Sequence, residues 1–378
     1  MTFSEPTYSP LSQLQTVCLK QNIPFASYRL PLQTEITTLV QHSSMPERIN
    51  SLQNMDTKSG FVVAPFFETE KHGIYFLKPD FIYDTNNIDD VTLHNLASNS
   101  RFLNIKQPSE FEISSTLSED FIQQVNLAKV EMTDGKFNKV VLSRVRLEEL
   151  STDFDASAFY QKLCAIYPHA FVYMIQLPEV GVWMGATPEP FLLIENEKVK
   201  TVSLAGTQLA TKAEIESYNW SPKEIEEQGI VTNFVEQSLR SLHIKNYIKK
   251  GPENYQAANL IHLKTSFEFK LSELNNHLDD FINTMHPTPS VGGLPKTEAR
   301  NFILANEKYD RAYYTGYLGP INIENKSNLF VNLRCLQLFE KHFALYSGAG
   351  ITTSSNAEKE WEETNNKMKT LMNVMNSR

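Results

Sequence analysis

The chain of 378 residues predicts an α+β fold, and three features of the sequence point there. Its strand-like runs are short and adjacent, its helical segments fall irregularly among them, and no repeat or low-complexity tract imposes a period. Adjacent strands with short connections favour antiparallel pairing over repeated βαβ units. The first runs, "GFVVAPFFE" (60–68) and "GIYFLKPDFIYD" (73–84), are aromatic and β-branched and are bounded by Gly, Pro and Asp. A Pro/Ser/Glu-rich stretch (104–120) leads into a helix from Phe121 that closes near Gly135. Beyond it the pattern predicts strands at 137–147, 170–176, 181–186, 190–195, 199–205, 312–319, 328–337 and 342–348. Helices are predicted at 156–166, 222–243, 270–283, 296–306 and 357–375. The stretch 105–118 is a candidate boundary, but a sandwich can draw strands from both halves, so one domain over 1–378 is expected.

Composition narrows the function. The chain is 41% apolar and 21% charged, an ordinary globular balance, and its net charge of -9 argues against nucleic acid or an anionic membrane as a partner. An anionic ligand would therefore need cations concentrated locally. Cys18, Cys164 and Cys335 have neither paired nor metal-like spacing, and no run approaches the roughly 18 apolar residues of a membrane helix. The start "MTFSEPTYSP" lacks a basic region followed by an apolar run, so no signal peptide is read. A reduced, cytoplasmic, soluble protein is expected.

Several segments carry candidate chemistry. In "FNKVVLSRVRLEEL" (137–150) strict alternation points Lys139 where Phe137, Val141 and Val145 point. Such a lysine either snorkels to water from an edge strand or is a desolvated amine able to act as a base. "GVWMGATPEPFLLI" (181–194) holds Glu189 between two prolines at a turn, where apolar flanks could keep the carboxyl protonated as a general acid requires. "SPKEIEEQ" offers Ser221, Pro222 and Glu224 as a capping box, and Glu224 and Glu227 continue the inward row of Val231 and Val235. "GAGITTSSNAEKEWEETNNK" (348–367) gives two glycines, N-cap candidates Ser354, Ser355 and Asn356, and Glu360, Glu363 and Lys367 on one helix flank. Glu363 and Lys367 could simply pair in solvent. Two helices each offering an i,i+3 acid pair are also hard-oxygen chemistry suited to Mg²⁺. Arg334, in the apolar "VNLRC", needs a carboxylate or phosphate partner from the protein or a ligand.

Taken in order, "FNKVVLSR", "GATPEPFL", "SLAGT", "HPTPSVGGLPK", "YTGYLGP", "VNLRC" and "GAGITTSSNAEKEWEETNNK" resemble the chorismate-utilising enzymes. That group contains isochorismate and salicylate synthases and the large subunits of anthranilate and aminodeoxychorismate synthases. The resemblance covers roughly residues 115–375, and 1–114 look like the variable portion of the same fold: two antiparallel sheets packed as a sandwich with helices outside. Aminodeoxychorismate synthases tend to carry a lysine where this chain has Ala205, and Lys139 matches the base of the members that use water. No tryptophan-sensing Leu-Leu-Glu-Ser motif is present near the start.

The resemblance thus implies an isochorismate synthase. Lys139 would take a proton from water attacking C2 of chorismate, and Glu189 would protonate the departing C4 hydroxyl. Mg²⁺ would be held by Glu227 and Glu363, directly or through water by Glu224 and Glu360. Arg334 and Tyr314 would clamp the enolpyruvyl carboxylate, and Lys367 would meet a substrate carboxylate. Ala205, Gly206 and Thr207, with backbone N–H groups around Gly348 and Gly350, would complete the substrate site. Gln228 stands where the family usually has histidine, which bears on the support of Glu227. Salicylate synthase, which goes on to eliminate pyruvate, and a catalytically silent Mg²⁺- and chorismate-binding protein are the alternatives. A glutamine amidotransferase subunit is not expected.

Overall fold

The computed structural model describes the chain except residues 1–8, 54–57, 86, 89–92, 94–95, 97–107, 109–112, 210–217, 258–259, 276 and 377–378, and leaves out the side chains of 207–209, 223, 257 and 260. A first helix, α1 (Pro10–Lys20), takes Ser9 as its N-cap and precedes six short strands. These are β1 (Phe25–Arg29), β2 (Thr37–Val40), β3 (Glu47–Ile49), β4 (Gly60–Ala64), β5 (Ile74–Leu77) and β6 (Phe81–Tyr83). The central run is α2 (Ser118–Thr133), β7 (Lys139–Glu149), α3 (Ala156–Ile166), β8 (Phe171–Leu177), β9 (Gly181–Thr187), β10 (Pro190–Glu195), β11 (Lys198–Leu209) and α4 (Pro222–Ser241). There follow β12 (Tyr247–Ala257), β13 (Leu260–Lys270), α5 (Leu278–Met285), β14 (Gly293–Leu294) and α6 (Lys296–Asn306). The chain closes with β15 (Tyr317–Ile321), β16 (Ser327–Val331), β17 (Cys335–Leu338), β18 (His342–Ile351) and α7 (Ala357–Met375).

All strand pairs are antiparallel, and they form two nine-stranded sheets ordered β14-β7-β18-β17-β9-β8-β1-β2-β6 and β12-β13-β11-β10-β16-β15-β4-β5-β3. Strands from before residue 100 enter both sheets, so the first part of the chain completes the sandwich rather than standing beside it. Between the sheets lies an aromatic core that includes Tyr28, Phe61, Tyr173, Trp183 and Tyr346. Phe171 of one sheet stacks on Phe330 of the other, ring centroids 4.2 Å apart. The outer faces are covered by helices: α1, α3 and α7 over the first sheet, α4 and α5 over the second.

The chain passes between the sheets several times, and two of these crossings lie side by side. Pro188 and Glu189 carry it from β9 to β10, and 332–334 carry it from β16 to β17. The crossings are tied together: the Val331 N–H donates to the Glu189 carbonyl (3.0 Å) and the Ala186 N–H to the Arg334 carbonyl (3.1 Å).

Most predicted elements occur, but no element before residue 60 is predicted, the run 73–84 is two strands, β5 and β6, in different sheets, and four further stretches differ. The run 328–337 is two strands in different sheets, because Arg334 sits at φ 48° and ends the extended path. The strand expected at 312–319 begins only at Tyr317, since Ala312 and Thr315 also have positive φ. A helix over 270–283 breaks into a 3-10 turn (Leu271–Leu274) and α5, divided by Asn275 at φ 48°. The hairpin β12–β13 was not anticipated: polar residues fill both faces of β12 at the edge of its sheet, and the apolar alternation is diluted.

A buried ion pair fixes one wall of the sandwich. Glu307 Oε1 accepts from the Ser143 N–H (2.7 Å) and hydroxyl (2.9 Å), while both Glu307 oxygens accept from Arg311, at 2.5 and 2.7 Å. Arg311 also donates to the Val141 and Val291 carbonyls, joining β7 to the segment before β14. Both side chains are 2% exposed, so removing one partner strands a charge. Arg311→Met should lower stability by about 3–5 kcal/mol in urea unfolding; a loss under ~1 kcal/mol would show that the pair is dispensable.

Candidate active site

The two crossings open onto a cavity of about 500 Å³. Of the residues expected at a site, Glu189, Ala205, Gly206, Glu224, Glu227, Tyr314, Arg334, Gly348, Gly350, Glu363 and Lys367 all line it. Three do not. Lys139 lies one layer behind the wall, Glu360 is 3% exposed and outside the lining, and the side chain of Thr207, on β11, is outside the described residues.

Lys139 opens β7 with its carbonyl against Gly293, whose φ of 148° and lack of a Cβ permit the approach: a Cβ there would come within 2.2 Å of that oxygen. The lysine is fully buried, and its Nζ donates to Glu227 Oε1 at 2.8 Å. It therefore does not snorkel. Its amine communicates with the cavity through the Glu227 carboxylate, which α4 supplies from its second turn. The capping box of α4 forms as predicted, with the Glu224 carboxylate accepting from the Ser221 N–H (2.9 Å) and hydroxyl (2.8 Å). Gln228, next along α4, is buried and donates to Ser203 O, Ser203 Oγ and Thr265 Oγ1, so it anchors the helix to β11 and β13.

Glu189 is 7% exposed, held between the two sheets by its crossing. Burial pushes its pKa up to about 7, against the opposing pull of the Lys139 and Lys367 charges and a hydrogen bond with Ser290. At neutral pH a large fraction of this carboxyl keeps its proton. On the other side, Lys367 Nζ donates to Glu363 (2.6 Å) and to the Gly348 carbonyl (2.8 Å), so α7 is fastened to β18 by the same lysine. Arg334 donates to Lys367 O and Thr370 Oγ1, each at 3.2 Å, and burial pulls its guanidinium below the ordinary arginine range. Its hydrogen-bond partners inside the protein are a carbonyl and a hydroxyl, with the Glu363 charge nearby.

The glycines of β18 are regular strand residues opposite Ser143 and Val141. A Cβ on Gly350 would lie 2.9 Å from Glu227 Oε1 and 3.4 Å from Lys139 Cε, and one on Gly348 would lie 3.0 Å from the Leu142 carbonyl and 3.2 Å from the Tyr314 hydroxyl. Asn356 is the N-cap of α7, accepting from the Lys359 N–H at 2.9 Å.

Further lining residues carried no readable signal. His262 on β13 donates from Nδ1 to the Gly206 carbonyl (2.9 Å), and burial, with the Arg334 charge behind it, lowers its pKa to about 3. It is a neutral imidazole at physiological pH. Trp220 and Tyr218 form an edge-to-face pair at the rim. A lone histidine in an apolar alternation and two aromatics ahead of a helix look like ordinary packing in a sequence.

Glu224, Glu227 and Glu363 give the cavity carboxylate oxygens, the donors that Mg²⁺ selects. Among the described residues no three His, Cys, Asp or Glu side chains are grouped as a metal cage. The donor set suits an ion held by one or two carboxylates, with water and ligand oxygens as its other partners.

Fold and cavity together define a class: a two-sheet enzyme scaffold with a buried acid, a lysine–glutamate pair and anion-directed cations around one pocket. The chain belongs to the chorismate binding enzymes, whose family model matches residues 17–376. It is 31% identical over 262 residues to isochorismate synthase EntC of Escherichia coli K12, covering 67% of this chain and 66% of that one. It is 28% identical over 267 residues to the vibriobactin-specific isochorismate synthase of Vibrio cholerae, covering 69% and 67%. Among solved structures, the menaquinone-specific isochorismate synthase MenF of Escherichia coli superposes with a TM-score of 0.76 at 19% identity, over 98% of this chain and 92% of that chain. Its likeness bears on fold.

The wall between Lys139 and the cavity generates a test. Gly350→Ala should displace the Glu227 carboxylate and cut kcat/KM by roughly tenfold or more, with a melting temperature close to that of the parent. Unchanged kinetics would show that Glu227 has room to spare.

Proposed function

We propose that the protein is an isochorismate synthase that converts chorismate to isochorismate with Mg²⁺. The observation that carries this reading is the buried Glu189, a carboxyl with a pKa near 7 set opposite the Lys139–Glu227 pair in a pocket bordered by Arg334 and Lys367. Relatives over two thirds of the chain are named isochorismate synthases, one of them vibriobactin-specific, and the product would feed menaquinone or siderophore biosynthesis.

The residues divide the reaction between them. Water attacks C2, the Lys139–Glu227 pair receives its proton, and the two ring double bonds each move one position. The C4–O bond then breaks as Glu189 passes its proton to the departing hydroxyl, so water added equals water lost. Arg334 and Lys367 hold the substrate carboxylates, and Tyr314 closes the wall beside them. Glu227 and Glu363 would hold Mg²⁺, with Glu224 and Glu360 contributing through water; the ion would supply Lewis-acid neutralisation of the ring carboxylate. Ala205 leaves no lysine for covalent catalysis, and water at Lys139 needs no amidotransferase partner. No described helix is long and apolar enough to cross a membrane.

Product analysis tests the reading directly. Purified protein with Mg²⁺ and chorismate should yield isochorismate; salicylate with pyruvate would establish the longer reaction, and no turnover would overturn the assignment. Lys139→Ala and Glu189→Gln should each lower kcat by about 10²–10⁴-fold while chorismate still binds, whereas binding with no parental turnover would mark a silent binding protein. EDTA should abolish activity and added Mg²⁺ restore it.

The pH profile has a defined sign. Glu189 must be protonated to act, and its raised pKa means that the competent form is lost as pH rises through about 7. The upper limb of kcat/KM should therefore fall near that pH and vanish in Glu189→Gln. A rate still rising there would exclude Glu189 as the acid.

A further inference from the structure

The segment 286–296 borders two cavities. Ser290 and Val291 line the one described above, while His286, Pro287 and Lys296 line a second, of about 240 Å³, that shares no residue with the first. Two cations face this second cavity, Lys296 and Arg300, at i and i+4 on α6. Lys296 spends its three protons on the Asn283, Thr284 and His286 carbonyls, at 3.1, 2.9 and 2.7 Å, so it caps α5 and brings a charge but no free donor. Arg300 differs. Its guanidinium carbon lies 4.7 Å from the centre of the Phe67 ring, and its buried Nε–H has no acceptor among the described residues. Neither cation has a carboxylate partner among the described residues. Burial and the Arg300 charge pull the Lys296 pKa down to about 8, so the two cations act on each other at close range. Like charges at this spacing destabilise a helix, and a packing role alone leaves them unexplained.

We propose that this cavity is a second binding site, for a small aromatic carboxylate whose charge pairs with the Arg300 guanidinium. A carboxylate offers Arg300 the two-oxygen acceptor that the protein does not supply, and it offsets the repulsion between Arg300 and Lys296. Much of the remaining wall is apolar or aromatic, with Phe66, Phe67, Ile282 and Tyr317, which calls for a ligand with a flat apolar body. Inorganic phosphate would meet the cations and leave that wall in contact with water. His286 adds no charge, since burial pulls its pKa down to about 4. Glu68, exposed at the rim, is the one acid of the lining. The site takes no residue from the proposed reaction and stands whether or not that reaction does.

The probe is para-fluorobenzoate, titrated against the full chain and followed by fluorine NMR line broadening at neutral pH. Broadening should saturate, and Arg300→Gln should weaken binding by about tenfold or more. Since Arg300 makes no hydrogen bond within the described residues, this variant should keep the parental melting temperature or exceed it. Lys367→Gln, which weakens the first cavity for anions, should leave the affinity unchanged, and Glu68→Gln should tighten it. Acetate and inorganic phosphate, which lack the ring, should not displace the probe at equal concentration. Absence of saturable broadening would overturn the proposal. So would binding that survives Arg300→Gln and is lost in Lys367→Gln, which would put the probe in the first cavity, or displacement by phosphate, which would show an anion site with no use for a ring. A lowered melting temperature with parental binding in Arg300→Gln would mark the arginine as structural and overturn it too. None of these readouts uses chorismate, so failure to make isochorismate leaves them readable.

Discussion

Two polypeptide segments cross between the sheets side by side, and the hydrogen bonds that lock these crossings to each other constrain everything around the cavity. Strands in a sandwich normally stay in their own sheet, because leaving it forfeits ladder bonds that must be replaced. Here the replacement comes from the other crossing, Val331 N–H to the Glu189 carbonyl and Ala186 N–H to the Arg334 carbonyl. Thr187 adds its hydroxyl on the Val331 carbonyl at 2.6 Å, and Asn332 Nδ2 donates to the Tyr313 carbonyl at 2.8 Å. Irregular backbone deep in the molecule is thereby satisfied internally. An acid and an arginine end up a few bonds apart on a rigid seam rather than on loops.

The charges around that seam are arranged in matched pairs. Lys139 rests on Glu227 and Lys367 on Glu363, while Glu189, the acid least able to ionise, sits between the two lysines. Lys139 is buried and would be a costly orphan without Glu227, whereas the more exposed Lys367–Glu363 pair is held less tightly. The site is thus held by interactions that a polar ligand or ion can exchange for its own, whereas the Glu307–Arg311 pair beneath it has no such access and serves the wall.

Much of this was legible in the sequence because the informative signals are local. Proline on both sides of Glu189, Ser221-Pro222 with Glu224, and Asn356 ahead of an amphipathic helix each specify their own geometry within a few residues. What was hidden depends on partners far away in the chain. A continuous apolar run at 328–337 gives no sign that Arg334 turns left-handed and sends the second half to another sheet. Alternation put Lys139 correctly on an inward face, but the screen of Gly350 and Glu227 in front of it comes from β18 and α4. His262 stands in an apolar alternation that gives no sign of the distant Gly206 carbonyl its Nδ1 meets.

The fastening of α7 across β7 has a consequence for how the site is assembled. Arg144 Nε donates to Thr364 Oγ1 at 2.6 Å across a separation of 220 residues, and Lys367 of the same helix closes onto Gly348. Until α7 docks, the chain lacks the lysine that clamps Gly348 and the carbonyl and hydroxyl that hold Arg334. Ordering of this wall of the cavity is thus coupled to the docking of one helix.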